Sequence, residues 1–157
     1  MIGRTHISLA RYLSVQAMYQ HIETGKNLEE ILSEFNSFHI KNIIFDFENS
    51  YKNSNLQADK SYFNSLIKTY QNQKIKIDKL IQINLKDDWT IIRLPKVVQA
   101  IIKIAIAEMI EFPKLSIKII ASEYIILTES FFSKNESSFV NGLIQTTYDL
   151  LNKDLNE

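Results

Sequence analysis

Residues 91–113 read IIRLPKVVQAIIKIAIAEMIEFP, and this stretch decides the fold. It contains the only two prolines of the chain, Pro95 and Pro113, one near each end. Proline is tolerated in the first turn of a helix, where its missing N–H loses no partner, and it stops a helix from continuing. The stretch therefore predicts a helix of roughly five turns over about 95–112. Apolar residues cover nearly its whole circumference, whereas a surface helix keeps one apolar stripe, so we expect a central helix packed on most sides.

The composition is that of one globular, helical domain. The chain has 157 residues, of which 45% are hydrophobic and 23% are charged, and its three glycines and two prolines are too few for turn-rich β architectures. The absence of cysteine excludes disulfides, thiolate zinc sites and cysteine nucleophiles. The 18 basic and 18 acidic residues cancel, so nucleic-acid binding would need a local basic patch. Charged residues interrupt the apolar stretch before it could span a membrane.

Outward from the central stretch, the pattern predicts about six or seven helices and no strand. A first helix covers about 5–23, and Gly25 suits its end. Asp59 is a candidate N-cap for a long helix, which the polar residues 71–76 could bend. Ser116 and Ser133 are candidate caps for the last two helices.

No constellation of residues predicts catalysis, a metal site or a cofactor. The three histidines are far apart and lack the spacing of a zinc motif: His6, His21 and His39. The glycines form no phosphate-binding loop, and Asp87 with Asp88 reads as a solvated pair before a helix rather than an acid/base couple. These residues thus argue for no enzyme activity, although an all-helical enzyme stays open as an alternative.

Two groups of charged residues carry other expectations. Arg4 and Arg11 lie seven residues apart, so on a helix they project within about 20° of each other and could form a small basic patch. The alternative, ordinary solvated charges, stays open for these two residues. Glu108 falls on the apolar side of the central helix, away from the polar stripe of Lys96, Gln99 and Lys103. Because an unpaired buried charge is very costly, Glu108 predicts a structural ion pair or a helix-end contact rather than catalysis.

Several short motifs, weak one by one, occur in a specific order. The first helix carries Ala10-Arg11 followed by Val15-Gln16-Ala17-Met18-Tyr19, and the Asp59 helix begins Asp-x-x-Tyr-Phe-x-x-Leu. Around the central helix the pattern comprises Trp89, Arg93-Leu94, Ala100-Ile101, Lys103, Ala105 and Glu108-Met109. The last helix begins with Phe139-Val140-Asn141-Gly142. Together, over most of the chain, these motifs resemble the bacterial transcription antitermination factor family NusB.

The resemblance implies an all-α fold of two packed three-helix bundles around the central helix. It implies a single domain over 1–157, with an N-terminal bundle of about 1–82 and a C-terminal bundle of about 83–157. Members of the family pair with NusE, a small ribosomal subunit protein, and the pair binds boxA-type single-stranded RNA within the RNA polymerase antitermination complex. By this resemblance we expect a cytoplasmic protein that is neither an enzyme nor a membrane protein and that needs no cofactor.

The family's functional residues are carried over by position. The resemblance implies these RNA-binding residues: Arg11, Lys103, Phe139 and Asn141. We add Arg4 to them because of its helical spacing with Arg11. The resemblance implies two partner-binding residues, Tyr19 and Val98, and we add Gln99 because it belongs to the polar stripe of the central helix. For Phe139 two interpretations stay open, since its ring could stack on a base or anchor the core.

The chain also departs from the family pattern. Ile7, Ser8 and Leu9 stand where many members have a run of arginines, and Ser138 stands where lysine is common. We therefore expect weak RNA binding by this protein alone, with a basic partner supplying much of the electrostatic attraction. One rival hypothesis is a helical module that binds only the partner protein. Another is a domain of the kind fused to RNA methyltransferases, which the lack of a glycine-rich cofactor loop disfavours.

Overall fold

The structure is a computed structural model that describes residues 6–39, 57–85 and 90–155, and in these ranges it contains seven α-helices and no strand. The helices are α1 His6–Thr24, α2 Leu28–Glu34, α3 Lys60–Asn72, α4 Lys74–Ile83, α5 Lys96–Glu111, α6 Ile117–Glu129 and α7 Lys134–Leu155. A π-helical turn, Phe35–His39, follows α2, and a 3-10 turn, Ile91–Arg93, precedes α5. The predicted all-α class and helix count are confirmed.

Two of the predicted N-caps form their capping bonds, whereas the hydroxyl of the third, Ser133, donates to the Glu136 carboxylate at 2.7 Å. The Asp59 carboxylate accepts a hydrogen bond from the backbone N–H of Tyr62 at 3.0 Å, and the Ser116 hydroxyl accepts one from the N–H of Lys118 at 3.1 Å. Gly25 follows α1 with φ +74°, a conformation that other residues rarely adopt. Gln73 separates α3 from α4, inside the interval where the sequence predicted a bend.

Helix α5 is the central element. Pro95 occupies the N-cap position, one residue before the first helical residue, and α5 ends before Phe112. Eleven of the 16 residues of α5 are buried, and the helix packs against α1, α3, α4, α6 and α7. The prediction of a central, nearly all-apolar helix over about 95–112 is confirmed.

Helix α5 belongs to two groups of packed helices. Helices α1 and α3 pack against each other and against α5, and α6 and α7 pack against each other and against α5. Each group is thus a three-helix set that includes α5. The expected division into bundles of about 1–82 and about 83–157 stays a prediction, because α5 packs on helices from both parts.

Candidate nucleic-acid and protein interface

Glu108 of α5 is the buried centre of a polar cluster. Its carboxylate is 0% exposed and accepts hydrogen bonds from the Nε of Arg11 at 2.9 and 3.0 Å and from its Nη2 at 2.8 Å. The hydroxyls of two tyrosines, Tyr62 of α3 and Tyr124 of α6, also donate to this carboxylate, Tyr124 at 2.6 Å. We call these four residues the Glu108 cluster. The ion pair predicted for Glu108 is confirmed.

Arg11 also bridges α1 to α6. Its Nη1 donates to Glu123 at 2.8 Å, and the hydroxyl of Ser8 donates to the same oxygen of Glu123 at 2.6 Å. Burial alone would lower the pKa of Arg11, but the hydrogen bonds and the charge of Glu108 outweigh burial and raise this pKa above its ordinary value. The arginine thus carries a fixed charge that holds three helices, α1, α5 and α6, together.

The expectation of an exposed basic patch formed by Arg4 and Arg11 does not fit the structure. Arg4 lies outside the described residues, and Arg11 is only 4% exposed. The physical reason is that carboxylates on α5 and α6 compensate the guanidinium where α1 packs on them. As an RNA contact Arg11 stays a prediction, and its observed contacts give it a structural role.

Lys103, the other predicted basic RNA contact, is also largely enclosed. Its Nζ lies 5.4 Å from the ring centre of Tyr70 and 3.9 Å from the nearer carboxylate oxygen of Asp78. Burial lowers the pKa of Lys103, and the charge of Asp78 opposes that shift. Lys74 pairs with the other Asp78 oxygen at 3.1 Å. The positive charge of Lys103 is therefore partly compensated within the protein.

Phe139 lies on an open groove. We call it the Phe139 groove; its volume is about 510 Å³, and it is lined by Asn84, Leu85, Arg93, Leu94, Pro95, Val98, Asn135, Glu136 and Phe139. Phe139 is 38% exposed, so the ring is a groove-lining side chain rather than a core anchor. Arg93 is exposed and forms no ion pair with another described residue. Within the described ranges, the groove thus combines an aromatic ring, a guanidinium without an ion pair, the Glu136 carboxylate and an apolar floor.

Tyr19 lies on a second groove. We call it the Tyr19 groove; its volume is about 640 Å³, and it is lined by Tyr12, Val15, Gln16, Tyr19, Gln20, Glu23, Thr24, Phe35, Val97 and Phe131. Two of its aromatic side chains, Tyr19 and Phe131, are 38% and 49% exposed. Val97 lines this groove and Val98 lines the Phe139 groove, so the start of α5 contributes to both.

The three remaining predicted residues have different environments. Val98 is only 1% exposed and belongs to the floor of the Phe139 groove. Gln99 was expected on an exposed polar stripe, but it is buried, because its side-chain amide donates to the carbonyl of Leu94 at 2.8 Å and holds the turn before α5. Asn141 is half-buried, and its side-chain oxygen accepts a weak hydrogen bond from Gln145 at 3.4 Å.

Sequence reasoning missed two lining residues that complete the grooves. The sequence identified Arg93 only as part of a family motif and did not single out Phe131. The adjacent aromatic pair that follows α6, Phe131-Phe132, was the available signal for Phe131. Arg93 gave no signal of its own, because the acids that lie near it depend on the tertiary structure.

The described ranges contain no group of three His, Cys, Asp or Glu side chains that could hold a metal ion. Among the helices of the same ranges, none is both long enough and apolar enough to cross a membrane.

Comparison with known proteins gives a consistent match. A model of the NusB family matches residues 8–149. The transcription antitermination protein NusB of Allorhizobium ampelinum is 32% identical over 135 residues, covering 86% of this chain and 81% of that protein. The corresponding Sphingopyxis alaskensis protein is 30% identical over 148 residues, covering 94% and 93%. A crystal structure of antitermination factors NusB and NusE with double-stranded RNA contains a chain that superposes with a TM-score of 0.70 at 22% identity, covering 91% and 96%.

Proposed function

The chain belongs to the NusB family of transcription antitermination proteins, and on that premise we propose that it binds boxA-type single-stranded RNA together with NusE. The family is one of transcription factors rather than enzymes. In this proposal the protein acts in the cytoplasm as an adaptor of the RNA polymerase antitermination complex. Its RNA surface is the Phe139 groove and its NusE surface is the Tyr19 groove.

The exposed ring of Phe139 beside Arg93 is the observation that carries the RNA proposal. Stacking of one base on an aromatic ring contributes roughly 1–3 kcal/mol and tolerates any base. A guanidinium can contact a phosphate or the edge of a guanine with two parallel hydrogen bonds. An aromatic ring and an arginine that pairs with no carboxylate of the described residues therefore suit a single-stranded nucleotide on one open groove.

The charges explain why we expect NusE to be required. Glu108 and Glu123 compensate Arg11, and Asp78 partly compensates Lys103. Each phosphate contact with a single strand contributes about 0.7 to the salt slope of binding, so a surface that makes only one or two phosphate contacts has a shallow slope and binds weakly. A basic partner would supply the missing contacts.

The Tyr19 groove suits a protein partner because two of its exposed side chains are aromatic and its floor is apolar. Its other exposed side chains are polar: Gln16, Glu23 and Thr24. Tyrosine and phenylalanine are enriched at protein interfaces, whereas charged side chains are depleted at interface centres. Val97 and Val98 are adjacent at the start of α5 and line different grooves. NusE bound in the Tyr19 groove would thus lie beside RNA bound in the Phe139 groove. Val98 and Gln99 would support both surfaces through packing rather than through direct contact.

The test titrates labelled boxA RNA with this protein, with NusE and with both. We expect the mixture to bind RNA more tightly than NusE alone. Two exposed phenylalanines give a matched pair of variants. Phe139→Ala should weaken RNA binding by roughly 5–150-fold while the complex with NusE still forms, and Phe131→Ala should weaken the complex with NusE.

One outcome of this titration separates an adaptor that binds RNA from an adaptor that binds only protein. If the mixture binds RNA no more tightly than NusE alone, the RNA proposal is wrong. Formation of the NusE complex under those conditions would then favour the rival, an adaptor that binds only protein.

A further inference from the structure

Helix α6 presents an exposed face that the proposed function does not use. Five of its side chains are exposed and lie within an arc of about 100° on the helix surface: Lys118, Ile119, Ser122, Ile126 and Glu129. Ile119 and Ile126 are 46% and 44% exposed, although the opposite side of α6 is buried against α5 and α7. The face therefore has an apolar strip without a covering element in the described chain.

The residues of this face are arranged so that the face is complementary to itself. Lys118 lies in the first turn of α6 and Glu129 is its last residue, and both project along the same edge of the face. Ile119 and Ile126 lie along the other edge, two turns apart, and the small Ser122 lies between the two ends. In an antiparallel pair of such helices, side chains on the same edge meet, and the first turn of one helix lies beside the last turn of the other.

We propose that this face of α6 pairs with α6 of a second copy of the chain, antiparallel, about a two-fold axis near Ser122. Each Lys118 then faces Glu129 of the other copy, and each Ile119 packs on Ile126 of the other copy. Lys118 has no ion pair within the described ranges, and the Glu129 carboxylate accepts a hydrogen bond from the Ser137 hydroxyl at 3.3 Å. Both charges are thus available for such a pairing.

The occupant is a second copy because one edge of the face carries the cation and the anion at opposite ends. A two-fold pairing forms two ion pairs between Lys118 and Glu129, one at each end of the interface. An unrelated apolar helix would form neither. The apolar strip contains two isoleucines per copy, so the interface is small, and the dimer is weak and concentration-dependent.

Sedimentation velocity at increasing protein concentration, up to about 1 mM, tests the proposal. We expect a dimer fraction that grows with concentration and falls at high salt. Lys118→Glu and Glu129→Lys each place like charges opposite each other twice per dimer, and each should weaken dimerisation roughly 3- to 30-fold. The double variant exchanges the two charges and should restore wild-type association. Lys79→Glu on α4 makes the same charge change on an exposed residue elsewhere and should leave association unchanged.

Thermal melting of each variant is the control, and we expect Tm values equal to that of the wild type because the changes lie on the surface. A wild-type protein that stays monomeric over the whole range would overturn the proposal. A dimer that the single charge reversals do not weaken, or that the double variant does not restore, would overturn it too, because the contact would then lie elsewhere.

Discussion

Replacement of Glu108 by alanine should destabilise the protein more than any surface change. The Glu108 carboxylate accepts three hydrogen bonds from Arg11 and one from each of two tyrosines, Tyr62 and Tyr124, and it is fully buried. Removal of one partner of a buried ion pair costs about 3–5 kcal/mol, because the other charge is left in a low-dielectric environment. Arg11 keeps its contact with Glu123, which holds the cost within that range.

The expected loss is a large part of a typical folding stability of about 5–15 kcal/mol. For a domain of this size, 1 kcal/mol corresponds to a shift of about 2–4 °C in Tm, so Glu108→Ala should lower Tm by roughly 6–20 °C. Thermal unfolding followed by circular dichroism measures this shift, and urea unfolding gives the free energy directly.

Two further variants make the Glu108 test specific. Glu111→Ala removes an exposed glutamate of the same helix and should change the free energy of unfolding by less than about 0.5 kcal/mol. Glu108→Gln keeps the side-chain volume and one acceptor oxygen. Its loss in free energy of unfolding should therefore lie between the losses of Glu108→Ala and Glu111→Ala. An unchanged Tm of Glu108→Ala combined with lost RNA binding would refute the structural role of Glu108 and assign it to the binding surface.

Three more predictions follow from local geometry. Burial, together with the Glu108 charge and hydrogen bond, raises the pKa of Tyr124 above the ordinary value of 10.0. Above about pH 10 the unfolded chain therefore releases a proton that the folded protein keeps. The free energy of unfolding should be undiminished below about pH 10 and should decline as pH rises further. Urea midpoints at about pH 9 and about pH 11 measure this decline. Gly25→Ala should lower the free energy of unfolding by about 1 kcal/mol because φ at this residue is +74°. Gly142→Ala, in open space on α7, should raise it by about 0.5–1 kcal/mol. Equal effects of the two variants in urea unfolding would contradict the strain argument. Arg93→Gln should reduce the salt slope of RNA binding by about 0.7, while Arg11→Met should lower Tm and leave that slope unchanged; a flatter slope for Arg11→Met would make Arg11 a phosphate contact.

The secondary structure could be predicted from local signals. Prolines, caps and apolar periodicity are properties of neighbouring residues, and they located α5 and the Asp59 and Ser116 caps without tertiary information. The need of Glu108 for a partner was predictable for the same reason, because the helical wheel alone shows that it faces the core.

The partner of Glu108 was not predictable, because Arg11 is 97 residues away in the chain. The sequence suggested a surface role for Arg11, and only the packing of α1 on α5 and α6 shows that two carboxylates compensate it. The Phe139 groove was not predictable from the sequence either, because it is lined by residues from the end of α4, the segment before α5 and the start of α7. Which charges are uncompensated at such a groove is a property of the tertiary structure.

The membership of α5 in both three-helix groups has a consequence for how the molecule unfolds. If either group separated, it would expose an apolar side of α5 that its other neighbours cannot cover. Neither group can therefore open alone at low cost, and the two should unfold in one cooperative transition. The backbone amides of α5 should then exchange with solvent only through global unfolding, which makes this helix the most slowly exchanging part of the protein.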